Sequence, residues 1–367
     1  MRFIHIADVH LGAQPDVGAA YSEVRPRELW DTFSAVIRVC EEEQTDLLLI
    51  AGDLFHRQPL LRELKEVDYL FSTLSKTKVV LIAGNHDYIR RDSHYPSFTW
   101  SSNVYPLFGR KPEWIHFPDL DAAVCGFSYY EREIREPLYD RIRAEDGARY
   151  QILLAHGGDE THIPVRRAAL AGSGFDYIAM GHIHRPGEVI PHRAVYAGAL
   201  EPIDKNDTGR HGFIRGELTK RGVHTEFVPF AKREYVHLVL KMDESQTAGS
   251  VSAQIRQAVM ERGQEHFYKI ILRGQRDPDI LFDPGQMRVP DNVLELIDET
   301  EPAWDIERLW RENQENLIGK FISRFPRQLS GISEDGPRKT EDQAEEMALR
   351  EGLRALLQNR IDEGQVW

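Results

Sequence analysis

The chain has 367 residues, with 46 Lys and Arg against 59 Asp and Glu, and its net charge of −13 speaks against a simple binder of polyanions. A hydrophobic content of 41% and a charged content of 29% are those of a globular protein, and the length suits a large domain plus a small one. No run approaches the roughly 18 apolar residues a membrane helix needs. The first residues read as a strand at once, so no signal peptide is expected. Cys40 and Cys125 read as small core residues outside any metal-type spacing, so a reducing, cytoplasmic setting is expected.

Residues 1–7 read as a strand. Leu29, Trp30, Phe33, Val36, Ile37 and Cys40 recur at helical spacing and predict a helix over 28–44. A strand over 46–51 follows, then an amphipathic helix over 59–75 that opens on Pro59, a residue suited to a first helical turn. A strand over 78–83 completes a β-α-β-α-β unit. Residues 122–127 are strand-like, and beyond Tyr150 strands dominate, at 151–155, 177–180, 187–190, 194–197, 212–218 and 223–228. Alternation followed by a meander predicts two sheets face to face with helices outside, an α/β fold. Past residue 232 a strand over 235–241, a helix over 251–262, a strand over 266–273, a turn-rich stretch over 278–290 and an alternating segment over 293–299 predict a small α+β unit. A helix is expected over 304–325, with Ile306, Leu309, Trp310, Leu317, Phe321 and Phe325 on one stripe. A polar break over 330–340 then leads into a charged helix over 341–361. The expected division is 1–232, 233–300 and 301–367.

Five predicted strands run into polar groups: Asp8-Val9-His10, Gly52-Asp53, Gly84-Asn85-His86-Asp87, His156, and Gly181-His182-Ile183-His184. Strands are rigid, and loops leaving one sheet edge can gather distant side chains into one pocket. Asp8, His10, Asp53, Asn85, His156, His182 and His184 make two Asp, one Asn and four His, a donor set that suits a pair of divalent cations. Imidazole and carboxylate favour manganese, iron or zinc, and a carboxylate can bridge two metals. A single His after a strand would read as a structural residue. Five such groups in series read as a two-metal phosphoesterase site.

These motifs resemble the calcineurin-like metallophosphoesterase superfamily. The wording Gly52-Asp53-Leu54-Phe55-His56 and the opening residues 2–12 resemble its DNA-repair exonuclease branch, the bacterial SbcD and YhaO type. That branch is related to the nuclease subunit of the eukaryotic double-strand-break repair complex. The resemblance implies a four-layer α/β/β/α sandwich with a small α+β capping domain and C-terminal helices. It implies that Asp8, His10 and His184 hold one metal, that Asn85, His156 and His182 hold the other, and that Asp53 bridges them. Manganese is the expected metal, and a water activated between two such ions would attack phosphorus in line. His86 is then expected beside the scissile phosphate as a charge stabiliser or acid, with Asp87 orienting its ring. His56 is expected to touch the nucleic-acid phosphate. The other histidines, among them His5, His162 and His211, read as structural or surface residues. Ala199 stands where many family members carry Ser or Asn.

DNA ends, an SMC-like ABC ATPase of the SbcC/YhaN type and a second copy of the chain are the partners this resemblance implies. The stripe over 304–325 is the expected docking helix for the ATPase, with packing inside the chain as the alternative. Residues 1–232 carry a net −5 and residues 233–367 a net −8, so the acidity lies mostly away from the site. DNA affinity would then rest on local clusters: Arg90-Arg91 beside the metal motif, Arg110-Lys111, Arg132 with Arg135, and Arg166-Arg167. Two other functions remain open. One is a phosphodiesterase or phosphatase on a non-DNA substrate, and the other is a non-catalytic interaction subunit with a structural metal centre.

Overall fold

A computed structural model of the chain describes residues 1–17, 21–283, 285–326 and 340–358. In chain order the first part comprises β1 (Arg2–Ile6), α1 (Arg25–Glu42), β2 (Leu47–Ala51), α2 (Leu61–Ser72), β3 (Lys78–Ile82), β4 (Val104–Pro106), β5 (Glu113–Phe117), β6 (Ala122–Gly126), β7 (Tyr150–His156), α3 (Arg167–Ala171), β8 (Tyr177–Gly181), β9 (Gly187–Ile190), β10 (Ala194–Tyr196), β11 (Gly212–Thr219) and β12 (Gly222–Pro229). The remainder comprises β13 (Tyr235–Met242), α4 (Ala248–Arg262), β14 (Phe267–Arg276), β15 (Val293–Pro302), α5 (Ile306–Glu312), α6 (Leu317–Ile322) and a last helix, α7 (Thr340–Gln358). The short strands β4 and β5 have no counterpart in the sequence expectations. Each is too brief and too mixed in composition to show a period.

Two six-stranded sheets form the core, in the orders β12-β11-β1-β2-β3-β4 and β5-β6-β7-β8-β10-β9. The centre of each is parallel: β1 with β2, β2 with β3, and β6 with β7 with β8. Antiparallel pairs close three of the four edges, and β4 closes the fourth in parallel with β3. Parallel strands covered on both faces are apolar throughout, and here the pleat sorts their side chains into separate layers. Ile4, Leu48, Ile50, Val79 and Leu81 meet Leu29, Phe33 and Val36 of α1 and Leu64, Val67 and Phe71 of α2. Their neighbours Phe3, Leu47, Leu49, Val80 and Ile82 face Val124, Ile152, Leu154 and Tyr177 across the gap between the sheets. Each such fully buried side chain contributes about 1.5–3 kcal/mol. On the outer face of the second sheet Cys125, Phe127, Leu153 and Ile178 pack with Leu170 and Tyr139. This fourth layer is thin, built from the five-residue α3 and a 3-10 turn over Leu138–Arg141. Cys40 and Cys125 lie in different layers, and both are free and buried.

The chain divides into two compact units. One holds Met1–Leu238, Ala258–Lys269 and Pro290–Glu295, and the other holds Val239–Gln257, Ile270–Val289 and Leu296–Trp367. Within the first, fully buried Arg25 donates to Glu28 and to the Pro202 carbonyl, and its guanidinium lies 5.4 Å from the Phe267 ring centre. A third sheet has the order β13-β14-β15.

The single helix expected over 304–325 is two helices in the structure. Asn316 caps α6 by accepting from the Ile318 and Gly319 N–H groups, so the chain restarts there rather than continuing α5. Ile306, Leu309, Trp310 and Phe321, with Phe325, pack on a small cluster formed by Ile322 with Leu349 and Leu353 of α7. Leu317 alone of the stripe stays largely exposed, at 67%. The polar break expected over 330–340 lies, apart from Thr340, outside the described residues, as do residues 359–361 of the last expected helix. Among the described residues no helix is long and apolar enough to cross a membrane.

Candidate metal centre

The loops leaving β1 and β2 stay paired beyond the strands. Asp8 N–H donates to the Gly52 carbonyl (3.2 Å), His10 N–H to Asp53 (3.0 Å), and Leu11 N–H to Leu54 (2.9 Å). Asp8, His10 and Asp53 hold φ of 49°, 51° and 50°, and His182 holds 93°. Such left-handed backbone costs a non-glycine residue about 1–3 kcal/mol and survives where surrounding structure enforces it. Glycine lets the sheet ends close. A Cβ on Gly84 would sit 2.2 Å from Asp53 Oδ1 and 2.7 Å from the His156 ring, and one on Gly52, at φ +88°, 2.4 Å from His156 Nδ1.

The seven expected ligands are brought together. Asp8, His10 and His184 offer donor atoms within 4.8 Å of one another, as do Asp8, Asp53 and His156. Three imidazoles are tied from behind. His156 Nδ1–H donates to the Ala51 carbonyl (2.8 Å), His182 Nε2 meets Asp159 (2.7 Å), and His184 Nδ1 meets Asp207 (3.0 Å). Their other nitrogens therefore face inward. His156 Nε2 stands 2.9 Å from Asn85 Oδ1, His182 Nδ1 3.1 Å from the same oxygen, and His184 Nε2 3.1 Å from His10 Nε2. Asp53 Oδ2 lies 3.5 Å from His156 Nε2 and 4.0 Å from His10 Nε2. Buried lone pairs aimed at one another need a positive charge between them, and imidazoles held by carboxylates or carbonyls are the usual surroundings of a bound metal. The donor set fits two divalent cations.

The electrostatics agree. Burial pushes the Asp8 carboxyl up to about 6, against the pull of His156 and His184. Burial also works against ionised Asp53, but facing His156, with His10 and His86, outweighs it and holds that carboxyl well below the usual range. Burial would lower His156, yet Asp53 raises it to about 9, and Asp207 with Asp8 does the same for His184. Burial, reinforced by His156, takes His182 down to about 4. A divalent cation would answer the field that holds protons on His156 and His184, so binding it releases protons.

His56 and His86 sit over this cluster. Their rings stack at 4.9 Å, His56 Nδ1 is 3.3 Å from His10 Nδ1, and His86 lies edge-on to His10 at 4.8 Å. His86 N–H donates to Asp53 Oδ1 (2.8 Å) and its ring Nδ1–H to the His56 carbonyl (3.1 Å), which leaves Nε2 available. The expected orienting role of Asp87 is corrected. Its oxygens accept from Gly84 N–H (2.8 Å), Phe55 N–H (3.1 Å) and the Tyr95 hydroxyl (2.9 Å), so this buried carboxylate braces the loop backbone. Burial, then repulsion from Asp53, raises it to about 7. Arg90 and Arg91 are exposed on the loop that follows, and Arg90 is paired with Asp92 at 2.8 Å.

Asp159 and Asp207 escape sequence reasoning. Asp159 lies three residues after His156 and could have been flagged by proximity; Asp207 follows its imidazole by 23 positions and carries no local signal. His162 and His211, read from sequence as structural or surface residues, both lie beside the centre. The His162 ring is 4.4 Å from that of His182, and buried His211 contacts the Ala199 and Asp207 carbonyls. Ala199 itself is buried, and its N–H donates to the His184 carbonyl (2.9 Å), a role that needs no side chain. His5 is buried against the Tyr177 hydroxyl at 2.9 Å, a structural residue as expected.

The family model for calcineurin-like phosphoesterases matches residues 1–186, more than half of the chain and all five motif groups. The chain belongs to the calcineurin-like phosphoesterase family. It is 30% identical over 248 residues to the uncharacterized metallophosphoesterase YhaO of Bacillus subtilis, covering 62% of this chain and 60% of YhaO. It is 28% identical over 222 residues to the DNA double-strand break repair protein Mre11 of Methanocaldococcus jannaschii, covering 56% of this chain and 58% of that protein. The likeness to Mre11 of Methanopyrus kandleri, at 26% over 388 residues, extends across 92% of this chain and 84% of its relative. The chain spans about three fifths of the length of YhaO and of the Methanocaldococcus protein. His182 and His184 lie within the family match, whereas Asp207 lies beyond it.

Asp207→Asn and Asp159→Asn are expected to leave the fold intact and weaken divalent-metal affinity about 10–100-fold each. Calorimetric titration with Mn²⁺ measures it, and unchanged affinity would show that these outer contacts do not serve the metals.

Proposed function

We propose that this chain is a two-metal phosphodiesterase that degrades DNA from its ends in double-strand-break repair. The observation that carries the reading is the inward set of lone pairs. Imidazoles anchored from behind by Ala51, Asp159 and Asp207, with Asp8, Asp53 and Asn85, leave a centre only cations can fill. Asp8, His10 and His184 would hold one ion, Asn85, His156 and His182 the other, and Asp53 both, with manganese as the native metal. Bound there, the metals would supply an activated water and neutralise charge on the phosphoryl group.

The chain's own residues do the rest. Asp53 Oδ1 accepts the His86 N–H, which fixes the carboxylate that would serve both ions. His86, with Nδ1–H given to the His56 carbonyl, keeps Nε2 to stabilise developing charge or to protonate the leaving oxygen. His56, stacked on His86, would touch the phosphate of a polymer. A general phosphatase has no need of that residue, and the Mre11 relatives are named for break repair. Arg91, and Arg90 once released from Asp92, are assigned to the DNA backbone. The partners proposed are an SMC-like ABC ATPase of the SbcC/YhaN type, docking on the α5–α7 helices, and a second copy of the chain. A phosphodiesterase acting on a non-DNA substrate is the competing reading, since the metal residues are common to the family.

Purified protein with Mn²⁺, end-labelled single- and double-stranded DNA and a chromogenic phosphodiester decides between these readings. Shortening of the labelled DNA supports the proposal, and turnover of the small diester alone overturns it. His86→Ala is expected to keep both metals and lower turnover at least about 100-fold, whereas Asp53→Ala loses metal; plasma emission counts the ions in each. His56→Ala is expected to impair degradation of DNA ends more than hydrolysis of the small diester, and equal losses on both substrates count against the polymer contact. Leu317→Glu changes an exposed position outside the α5–α7 cluster and is expected to abolish co-purification with the ATPase; retained co-purification removes Leu317 from the docking face.

A further inference from the structure

Of the basic pairs that stand out in the sequence, three include a member answered by a nearby acid. Arg90 meets Asp92, Arg135 meets Glu133, and Arg166 meets Asp140. Arg110 and Lys111 differ: among the described residues neither has an ion-pair partner, and both line a cleft of about 360 Å³. That volume falls within the range of small-molecule clefts. Arg141 joins them, also without an ion-pair partner among the described residues, and Arg143 completes a rim of four cations. In a chain of net charge −13, such a local excess of unanswered positive charge is a site for an anion.

The floor is apolar. Trp114, Phe127, Leu138 and Ile142 supply it, and the Trp114 indole is held in place by stacking on Phe175 at 5.7 Å. The Arg110 guanidinium lies over the Tyr130 ring at 4.7 Å, which fixes one rim cation without neutralising it. Glu145 is the one carboxylate in the lining. A simple inorganic anion would leave the indole and the aliphatic floor unused, and a purely apolar ligand would leave the cations unpaired. An acidic peptide would bring a second carboxylate towards Glu145. A phosphate carrying a flat heterocycle uses all three: cations for the phosphate, floor and indole for the ring, and Glu145 to accept from an exocyclic amine or a sugar hydroxyl.

We propose that this cleft binds a nucleotide unit. Free nucleoside monophosphate and the terminal nucleotide of a DNA strand present the same chemistry. The cleft shares no lining residue with the metal cluster but stands close to it. The turn Leu138–Arg141 gives Leu138 and Arg141 to the cleft, while Tyr139 of that same turn accepts the His156 N–H through its hydroxyl at 2.8 Å. Phe127 follows β6, which runs parallel to β7, the strand that ends in His156. The cleft therefore lies one strand along the same sheet edge, and its occupancy does not depend on the chemistry proposed for the metals.

Equilibrium dialysis of the full chain in EDTA, with metal chemistry silenced, tests it with four probes: deoxyadenosine monophosphate, deoxyadenosine, inorganic phosphate and a 5′-phosphorylated oligodeoxyadenosine. The expected result is that the monophosphate or the oligonucleotide binds at least tenfold tighter than deoxyadenosine and than phosphate. Lys111→Ala with Arg141→Ala, both at exposed positions, should reduce that binding at least tenfold without moving the thermal unfolding midpoint. Tight binding of the monophosphate identifies the free nucleotide as ligand, and binding of the oligonucleotide alone identifies the strand terminus. No preference over inorganic phosphate, or undiminished binding by the double variant, overturns the proposal. Either failure would leave the Mn²⁺-dependent cleavage assay to judge the proposed function separately.

Discussion

The structure turns on a crowd of buried electron pairs where the parallel strands of two mixed sheets end. Asp8, Asp53, Asn85 and the inner nitrogens of His156, His182 and His184 approach to about hydrogen-bonding distance or a little beyond. Nothing in an apolar core could bring such groups together, because each unpaired buried acceptor costs on the order of 1–3 kcal/mol. Two features impose the arrangement. Both sheets are anchored by continuous apolar layers that fix where their strands end, and Gly52 and Gly84 supply the clearance at the junction. Left-handed backbone at Asp8, His10 and Asp53 then turns side chains inward that an ordinary loop would send to solvent. The stability of the two sheets offsets this local strain.

From that constraint the site's chemistry follows. Carboxylates lower the cost of positive charge at the centre, so protons on His156 and His184 and divalent cations compete for the same place. Asp159 and Asp207 decide which nitrogen of His182 and of His184 faces the centre, which loops alone could not do. Asp87 works a step further out. By gathering the Gly84 and Phe55 N–H groups and the Tyr95 hydroxyl, it sets the loop on which Asn85 and His86 stand. A carboxylate expected to tune a catalytic ring therefore shapes the backbone beneath it.

The C-terminal helices follow a different logic. An apolar stripe on a single helix would need a partner to cover it, but the chain breaks at Asn316 and folds the stripe onto Leu349 and Leu353. Most of the residues that looked like a docking face thus supply a small core of their own. What remains for an outside partner is the exposed remnant, Leu317 with Met347 and Leu357. Any docking surface here is a feature of the folded module, not of one helix read alone.

The sequence by itself determined most of the strands and the polar groups that follow them, because strand period and Gly or Asn punctuation are local. Asp8, His10, Asp53, Asn85, His156, His182 and His184 each sit directly after an apolar run, and a run of that kind has to end at a sheet edge. Tertiary structure alone decided which groups stand behind them. Asp207 reaches His184 through a loop, and Asp87 turns to backbone N–H groups instead of the adjacent ring, since both outcomes depend on contacts between segments distant in the chain. The same holds for the basic cleft. Arg110-Lys111 read from sequence as one basic cluster among several, until β5, β6 and the Leu138–Arg141 turn placed Trp114 and Arg141 beside it. Periodicity reports which face of an element is buried, but only packing reports what it is buried against.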